Sequence, residues 1–151
     1  MDTIVDSRDH AILMLTKLYT NFIHVEKIPH GRKAVSTARA AVRLLFPYWE
    51  SVKTIKTDNG CKFSAHTEIM KGLSGKRKPN VFVYFSDSYS SWQKEVIENA
   101  NKLIRKYIPQ RTNFEDFSDR KILNIQKKLN RRPMEKLNFN APKHCFFENF
   151  S

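Results

Sequence analysis

The sequence predicts a single α/β domain built on a mixed β-sheet. Three strand-length runs come first, later strands alternate with amphipathic helices, and 151 residues with 40% hydrophobic content are enough for one buried core. The expected element order is β, β, β, α, β, α, β, α, α, carried by one domain over residues 1–151 with no internal repeat or low-complexity tract.

Asp2-Thr3-Ile4-Val5 is a β-branched fragment that begins almost at Met1, as though its strand started further upstream. Ala11 to Leu15 is a continuous apolar run. Asn21 to Ile28 alternates Phe22, His24, Glu26 and Ile28 against Ile23, Val25 and Lys27, so the two runs read as an antiparallel pair joined by Lys17 to Thr20. Pro29-His30-Gly31 ends the second. Ala34 to Phe46 then sets Val35, Ala38, Ala41, Val42 and Leu45 at helical spacing, and Pro47 stops the helix. A short strand over Thr54 to Thr57 leads to Asp58, where Asn59-Gly60 turns the chain.

Ser64 is placed to cap a helix through Leu73, with Gly72 and Ser74-Gly75 closing it. Lys76-Arg77-Lys78-Pro79 reads as a basic loop, and Val81 to Phe85 as a buried strand. The polar stretch Asp87 to Ser91 leads into a long helix from Trp92 to Ile108, whose apolar face is Val96, Ala100, Leu103 and Ile104 and whose end is set by Pro109. A further helix from Asp119 to Asn130 packs Ile122, Ile125 and Leu129 and stops at Arg131-Arg132-Pro133. A last helical turn covers Lys143 to Glu148. This order is that of the ribonuclease-H-like fold, a mixed five-stranded sheet flanked by helices, and other α+β domains share it.

The net charge of +12 and pI near 9.9 point to a polyanion, nucleic acid above all, while a ribosomal or merely solubilising role for the charge stays open. Cys61 and Cys145 are too few for a disulfide framework or a zinc site, and the five histidines lack ligand spacing. No apolar run reaches about 18 residues, and Met-Asp-Thr-Ile-Val lacks the basic-then-apolar design of a signal peptide. The expectation is a cytoplasmic protein with no membrane partner.

The chemistry is sought at Asp58. A carboxylate at the carboxyl end of a strand stands where open α/β sheets bind ligands and metals, although Asp-Asn-Gly also serves simply to turn a hairpin. Phosphodiester cleavage needs an in-line nucleophile, a stabilised leaving oxygen and compensation of phosphate charge, which two Mg²⁺ ions held by a few carboxylates supply. Asp2, Asp58 and Glu98 meet that need if the first strand and the strand before Asp58 are neighbours. Glu98 taken alone also reads as part of a solvated helix face.

Several blocks together resemble the transposases of the insertion sequence 30 type, whose catalytic core is similar to that of retroviral integrases. They are Asp2-Thr3-Ile4-Val5, Thr57-Asp58-Asn59-Gly60 with Phe63 and His66, Tyr84 to Tyr89, Ser91-Trp92-Gln93-Lys94 followed by Ile97-Glu98-Asn99-Ala100-Asn101, Arg105 with Tyr107-Ile108-Pro109, and Leu129 to Pro133 through Pro142. The resemblance implies a DDE catalytic core in which Asp2, Asp58 and Glu98 bind Mg²⁺ or Mn²⁺ and cut and join DNA at transposon ends and target. Lys62 and Glu95 depart from the family pattern, as does Lys17-Leu18-Tyr19. The interval between Asp58 and Glu98 exceeds the usual one by about six residues around Ser74 to Asn80, a surplus that a surface loop absorbs at little cost. The family's N-terminal helix-turn-helix region is not found, so an inactive remnant that binds only DNA or a full-length partner is the alternative.

Trp92 and Tyr89 are candidates for stacking on unpaired bases, against a core reading for Trp92. Lys94, Lys102 and Arg105 are candidates for phosphate contacts, against a solvated helix face. Arg131 and Arg132 are better placed, because the seven basic residues from Arg120 to Lys136 are opposed only by Glu135. Phe114, Phe117, Phe146, Phe147 and Phe150 are assigned to the core or to a contact in a homo-oligomer.

Overall fold

The computed structural model describes residues 1–28, 33–57, 66–74, 81–85 and 90–148. Strands β1 (Asp2–Val5), β2 (Ala11–Thr16) and β3 (Ile23–Ile28) form an antiparallel sheet in the order β1-β2-β3. Helix α1 (Ala34–Leu45) is followed by β4 (Thr54–Thr57), α2 (His66–Leu73) and β5 (Phe82–Phe85), and β4 pairs with β5 in parallel. Helices α3 (Ser91–Tyr107), α4 (Asp119–Arg131) and α5 (Pro142–Glu148) complete the chain.

The period-two alternation of β2 explains the layering. Ile12 and Met14 face one side with Ile4, Ile23 and Val25, where Ala100 and Ile104 of α3 and Ile122, Ile125 and Leu129 of α4 cover them. Ala11, Leu13 and Leu15 face the other side, against Ala38 and Ala41 of α1, Ile69 and Leu73 of α2, and Ile55 of β4. Truncating a residue such as Leu13, which is fully buried, should cost about 2–5 kcal/mol.

The outer side of β3 is closed by side chains of α4. Asn130 accepts from Ile23 N at 2.8 Å and donates to Ile23 O at 2.7 Å, and Gln126 Oε1 accepts from Val25 N at 2.7 Å. The carboxylate of Asp6 ties the end of β1 to a distant turn: it accepts from Arg8 N, His10 N and Phe114 N, and pairs with His10 Nδ1 at 2.8 Å. Burial alone would raise its pKa, but these bonds outweigh that term and hold it at about 2. His24 is buried among the rings of Phe22, Tyr48 and Phe146, and that burial lowers its pKa to about 4.

Three expectations are corrected. The described strands pair as a three-stranded and a two-stranded sheet in place of one five-stranded sheet. The two are linked where the α-amino group of Met1 donates to Lys56 O at 2.8 Å. The last strand is not buried: Phe82, Tyr84 and Phe85 are exposed, and among the described residues β5 pairs with β4 alone. As expected, α1 ends just before Pro47, which sits early in a following 3₁₀ segment, Phe46–Ser51, where its missing N–H costs nothing.

Gly72 does not close α2 but lies inside it, where a Cβ would come within 2.7 Å of Val42, so the absence of a side chain lets α1 and α2 pack closely. Of the phenylalanines, Phe114, Phe117 and Phe146 are buried as expected, Phe147 is exposed, and Phe150 lies outside the described residues. Among the described residues no helix is long and apolar enough to cross a membrane.

Candidate active site

Asp2 opens β1, and its side chain points to the same face as Ile4, which packs in the core against α3. Its Oδ1 accepts from Thr3 N at 2.7 Å, and its Oδ2 accepts from Asn101 Nδ2 at 3.2 Å. Asn101 lies three residues after Glu98 on α3, so the two side chains are neighbours one turn apart. Glu98 thus stands on α3 one turn before the residue that donates to Asp2. A second tether sets the start of α3 over β4, where Lys56 Nζ donates to Gln93 Oε1 at 3.1 Å.

The Glu98 side chain is 54% exposed and stands 3.9 Å from Lys94 Nζ, an exposed pair worth about 0.3–0.5 kcal/mol. That pair is too weak to fix the carboxylate, which stays available to a ligand. Asp58 follows β4 directly in sequence and lies outside the described residues, as does Tyr89. Among the described residues no group of three metal-ligating side chains forms.

The donor chemistry nonetheless suits a hard cation. Asp2 and Glu98 offer carboxylate oxygens, and Asn101 Oδ1 is buried with no hydrogen-bond partner. The amide must turn its Nδ2 to the carboxylate of Asp2, which leaves that oxygen facing the other way. Thr57 Oγ1, one residue before Asp58, is likewise buried and unpartnered.

The remaining candidates divide into two groups. Lys102 and Arg132 line one groove of about 520 Å³ between α3 and the segment after α4, together with Lys106 and Lys136, and with Glu95 and Glu135 at its wall. Lys94 leans on Glu98, Arg105 is half-buried in the last turns of α3, and Arg131 is exposed at the end of α4, so these three are not brought into that groove.

Trp92 is 40% exposed and therefore not core. Its ring lies 5.6 Å from that of Tyr19, itself 80% exposed, and Lys136 Nζ stands 5.8 Å from the indole centroid. Sequence reasoning did not assign roles to Asn101, Tyr19, Lys106 or Lys136. The signal for Asn101 was its three-residue spacing from Glu98; nothing in the sequence places Tyr19, in the turn between β2 and β3, beside the start of α3.

No family model matches the chain. It is 34% identical over 148 residues to the transposase for insertion sequence element IS4351 of Bacteroides fragilis, covering 97% of this chain and 43% of that protein. It is 32% identical over 143 residues to the transposase InsI for insertion sequence element IS30A of Escherichia coli, covering 94% of this chain and 36% of that one. The chain thus spans less than half the length of the curated relatives it matches. In structure it is similar to the catalytic core domain of BIV integrase, with a TM-score of 0.75 at 17% identity over 99% of this chain and 92% of the other.

Proposed function

We propose that this chain, a homologue of insertion-sequence transposases of the IS30 type with the integrase catalytic-core fold, is the catalytic core of a DDE transposase that cuts DNA and joins the 3′ end to a target. The observation that carries the reading is the bond from Asn101 to Asp2. It ties the carboxylate of β1 to the helix that bears Glu98, and this supports a site that Asp58, next in sequence after β4, would complete. On this reading Asp2, Asp58 and Glu98 hold the divalent ions, Mg²⁺ or Mn²⁺. Those ions, when bound, would lower the pKa of the attacking water and offset charge on the scissile phosphate.

The chain's own residues then have separable tasks. Asn101 orients Asp2, and Gln93 with Lys56 keeps the first turn of α3 on β4. Lys102, Lys106, Arg132 and Lys136 offer positive charge to the DNA backbone along one groove, and Lys94, Arg105 and Arg131 extend that charge outside it. Trp92 with Tyr19 forms an exposed aromatic pair suited to a base unstacked from the duplex end. The attacking hydroxyl comes from water in the cutting step and from the DNA 3′ end in the joining step. In each step one P–O bond forms as another breaks.

The test is metal-dependent nicking of a duplex carrying the element's end sequence, using the chain and its Asp58→Ala, Glu98→Gln and Asp2→Asn variants. Loss of nicking in all three, with DNA binding kept, is the expected result. Nicking that survives Asp58→Ala would remove that residue from the mechanism, and binding without nicking in the parent chain would leave a DNA-binding remnant.

A further inference from the structure

Strand β5 exposes aromatic rings on one face of the two-stranded sheet. Side chains alternate along β4, so Ile55 and Thr57 are buried while Thr54 is exposed and Lys56 half-buried on the opposite face. The parallel register sets Phe82 beside Thr54 and Tyr84 beside Lys56, which puts both rings on that outer face. They are 47% and 51% exposed, and their centroids lie 6.3 Å apart with the planes tilted by 36°. Phe85 belongs to the other face, where its ring meets that of His66 edge-on at 5.0 Å.

The size of the patch and the spacing of its rings decide what fits it. Aromatic side chains bury about 150–250 Å² each, so two that are half-exposed leave about 150–250 Å² between them. A stable protein interface takes about 800 Å² from each partner, at least threefold more, and the polar neighbours Thr54 and Lys56 do not enlarge the apolar area. A nucleobase needs a single ring to stack on. Bases stacked in a duplex repeat every 3.4 Å or about that, so rings 6.3 Å apart match bases that have been pulled apart, one on each ring.

Charge points the same way. Thr54, Lys56, Phe82 and Tyr84 include a cation and no carboxylate, in a chain of net charge +12. Exposed Lys53 adjoins Phe82, whose N donates to Lys53 O at 3.1 Å. The face is also continuous with the aromatic pair at the start of α3. Lys56 Nζ donates to Gln93, the neighbour of Trp92, and Tyr19 lines one groove of about 470 Å³ with Lys53, Thr54 and Lys56.

We propose that Phe82 and Tyr84 form a stacking platform for two unpaired nucleotides of a DNA strand, with Lys53 and Lys56 beside its phosphates. The choice of DNA rests on the transposase reading, whereas the stacking rests on the rings themselves. Trp92 and Tyr19 hold a base freed at the duplex end, and the platform takes nucleotides further along the same strand. Tyr84 is the ring nearer the carboxyl ends of β4 and β5, the edge at which open α/β sheets hold their ligands. Either ring accepts any base, so the platform selects unpaired over paired DNA and not one sequence over another.

The test is fluorescence anisotropy with a labelled single-stranded oligothymidylate and with a blunt duplex of equal length, in the absence of divalent metal. Phe82→Ala and Tyr84→Ala are each expected to weaken oligothymidylate binding by about 5–150-fold, with blunt-duplex binding unchanged. Phe82→Tyr and Tyr84→Phe keep a ring and should bind as the parent does. On the unsubstituted chain, an oligonucleotide carrying bromouracil in place of thymine should photocross-link to Phe82 or Tyr84, as mapped by mass spectrometry.

Parent-like oligothymidylate binding by the doubly alanine-substituted chain, an equal loss of duplex binding, or cross-links confined to other residues would each overturn the proposal. So would a parent dimer that the double substitution dissociates while oligothymidylate binding stays intact, which would assign the face to a second copy of the chain. No cleavage is measured, so failure here leaves the proposed function standing, and a failure of nicking leaves the stacking measurable.

Discussion

Replacing Asn101 by Leu keeps side-chain volume close while removing the donor to Asp2 Oδ2, and it isolates a polar contact that joins β1 to α3 at the candidate site. A hydrogen bond to a charged group is worth about 1.5–3 kcal/mol net, and 1.4 kcal/mol is a factor of ten, so the variant should lose about 10–100-fold in metal-dependent nicking. Global stability should fall by much less than that upper figure, because Asp2 keeps its bond from Thr3 N and can recruit water. The assay pairs a nicking rate with Mn²⁺ affinity by calorimetry, on the parent, Asn101→Leu, Asp2→Ala and the double variant. Coupling of 1 kcal/mol or more in Mn²⁺ affinity is expected from the cycle, at about the size of the bond itself. Additive effects of the two substitutions, or parent-like nicking by Asn101→Leu, would refute the claim that Asn101 holds Asp2 for chemistry.

Four further outcomes concern acid stability and DNA binding. His24 is held near pKa 4 against 6.5 when unfolded, so the unfolded chain binds the extra proton as pH falls; stability should be full above about pH 6.5 and drop by about 3 kcal/mol by pH 4, as urea midpoints would show, with His24→Phe flattening that window. Asp6 is depressed to about 2, so its contribution is kept until pH falls below its unfolded value near 3.8, and Asp6→Asn should abolish acid sensitivity in that lower window alone. Lys102→Ala and Arg132→Ala should each reduce the salt dependence of DNA binding by about 0.9 in log–log slope, read by fluorescence anisotropy, whereas Arg131→Ala should change it less. Trp92→Ala and Tyr19→Ala should each weaken binding to a frayed end by about 1–3 kcal/mol and leave blunt duplex binding unchanged.

The order of elements was legible in the sequence because their patterns are local. Two-residue alternation in Asn21 to Ile28 and the apolar face of α3 follow from one chain's own spacing. The resemblance grouped Glu98 with Asp2, and the residue that reaches Asp2 from α3, Asn101, lies three positions after Glu98. What stayed illegible depends on contacts between distant segments. The glycine of α2 looked like a terminator because its role lies in Val42 of α1. The run Val81 to Phe85 looked buried because hydrophobicity does not say whether a strand is at an edge. Trp92 was divided between core and surface because its neighbour Tyr19 sits more than seventy residues away. The charge of the segment after α4 was visible as a count, but which lysines and arginines share a groove with Lys102 depends on how α4 docks.

The bonds from Asn130 and Gln126 to β3 carry a consequence for how these molecules meet one another. The outward N–H groups of Ile23 and Val25 are occupied by helix side chains, so that margin offers no free template on which another polypeptide could lay down a strand. The side chain of Lys27 adds a further tether, its Nζ donating to Phe117 O. Growth of the sheet by addition of chains is thereby blocked on the β3 side, and self-association there must proceed through helix surfaces. In the other sheet, β5 shows no such guard among the described residues and bears exposed Phe82, Tyr84 and Phe85. Substituting Asn130 and Gln126 by Ala would open the guarded margin, and a chain that remained monomeric but became prone to fibrous aggregation would be the mark of that lost protection.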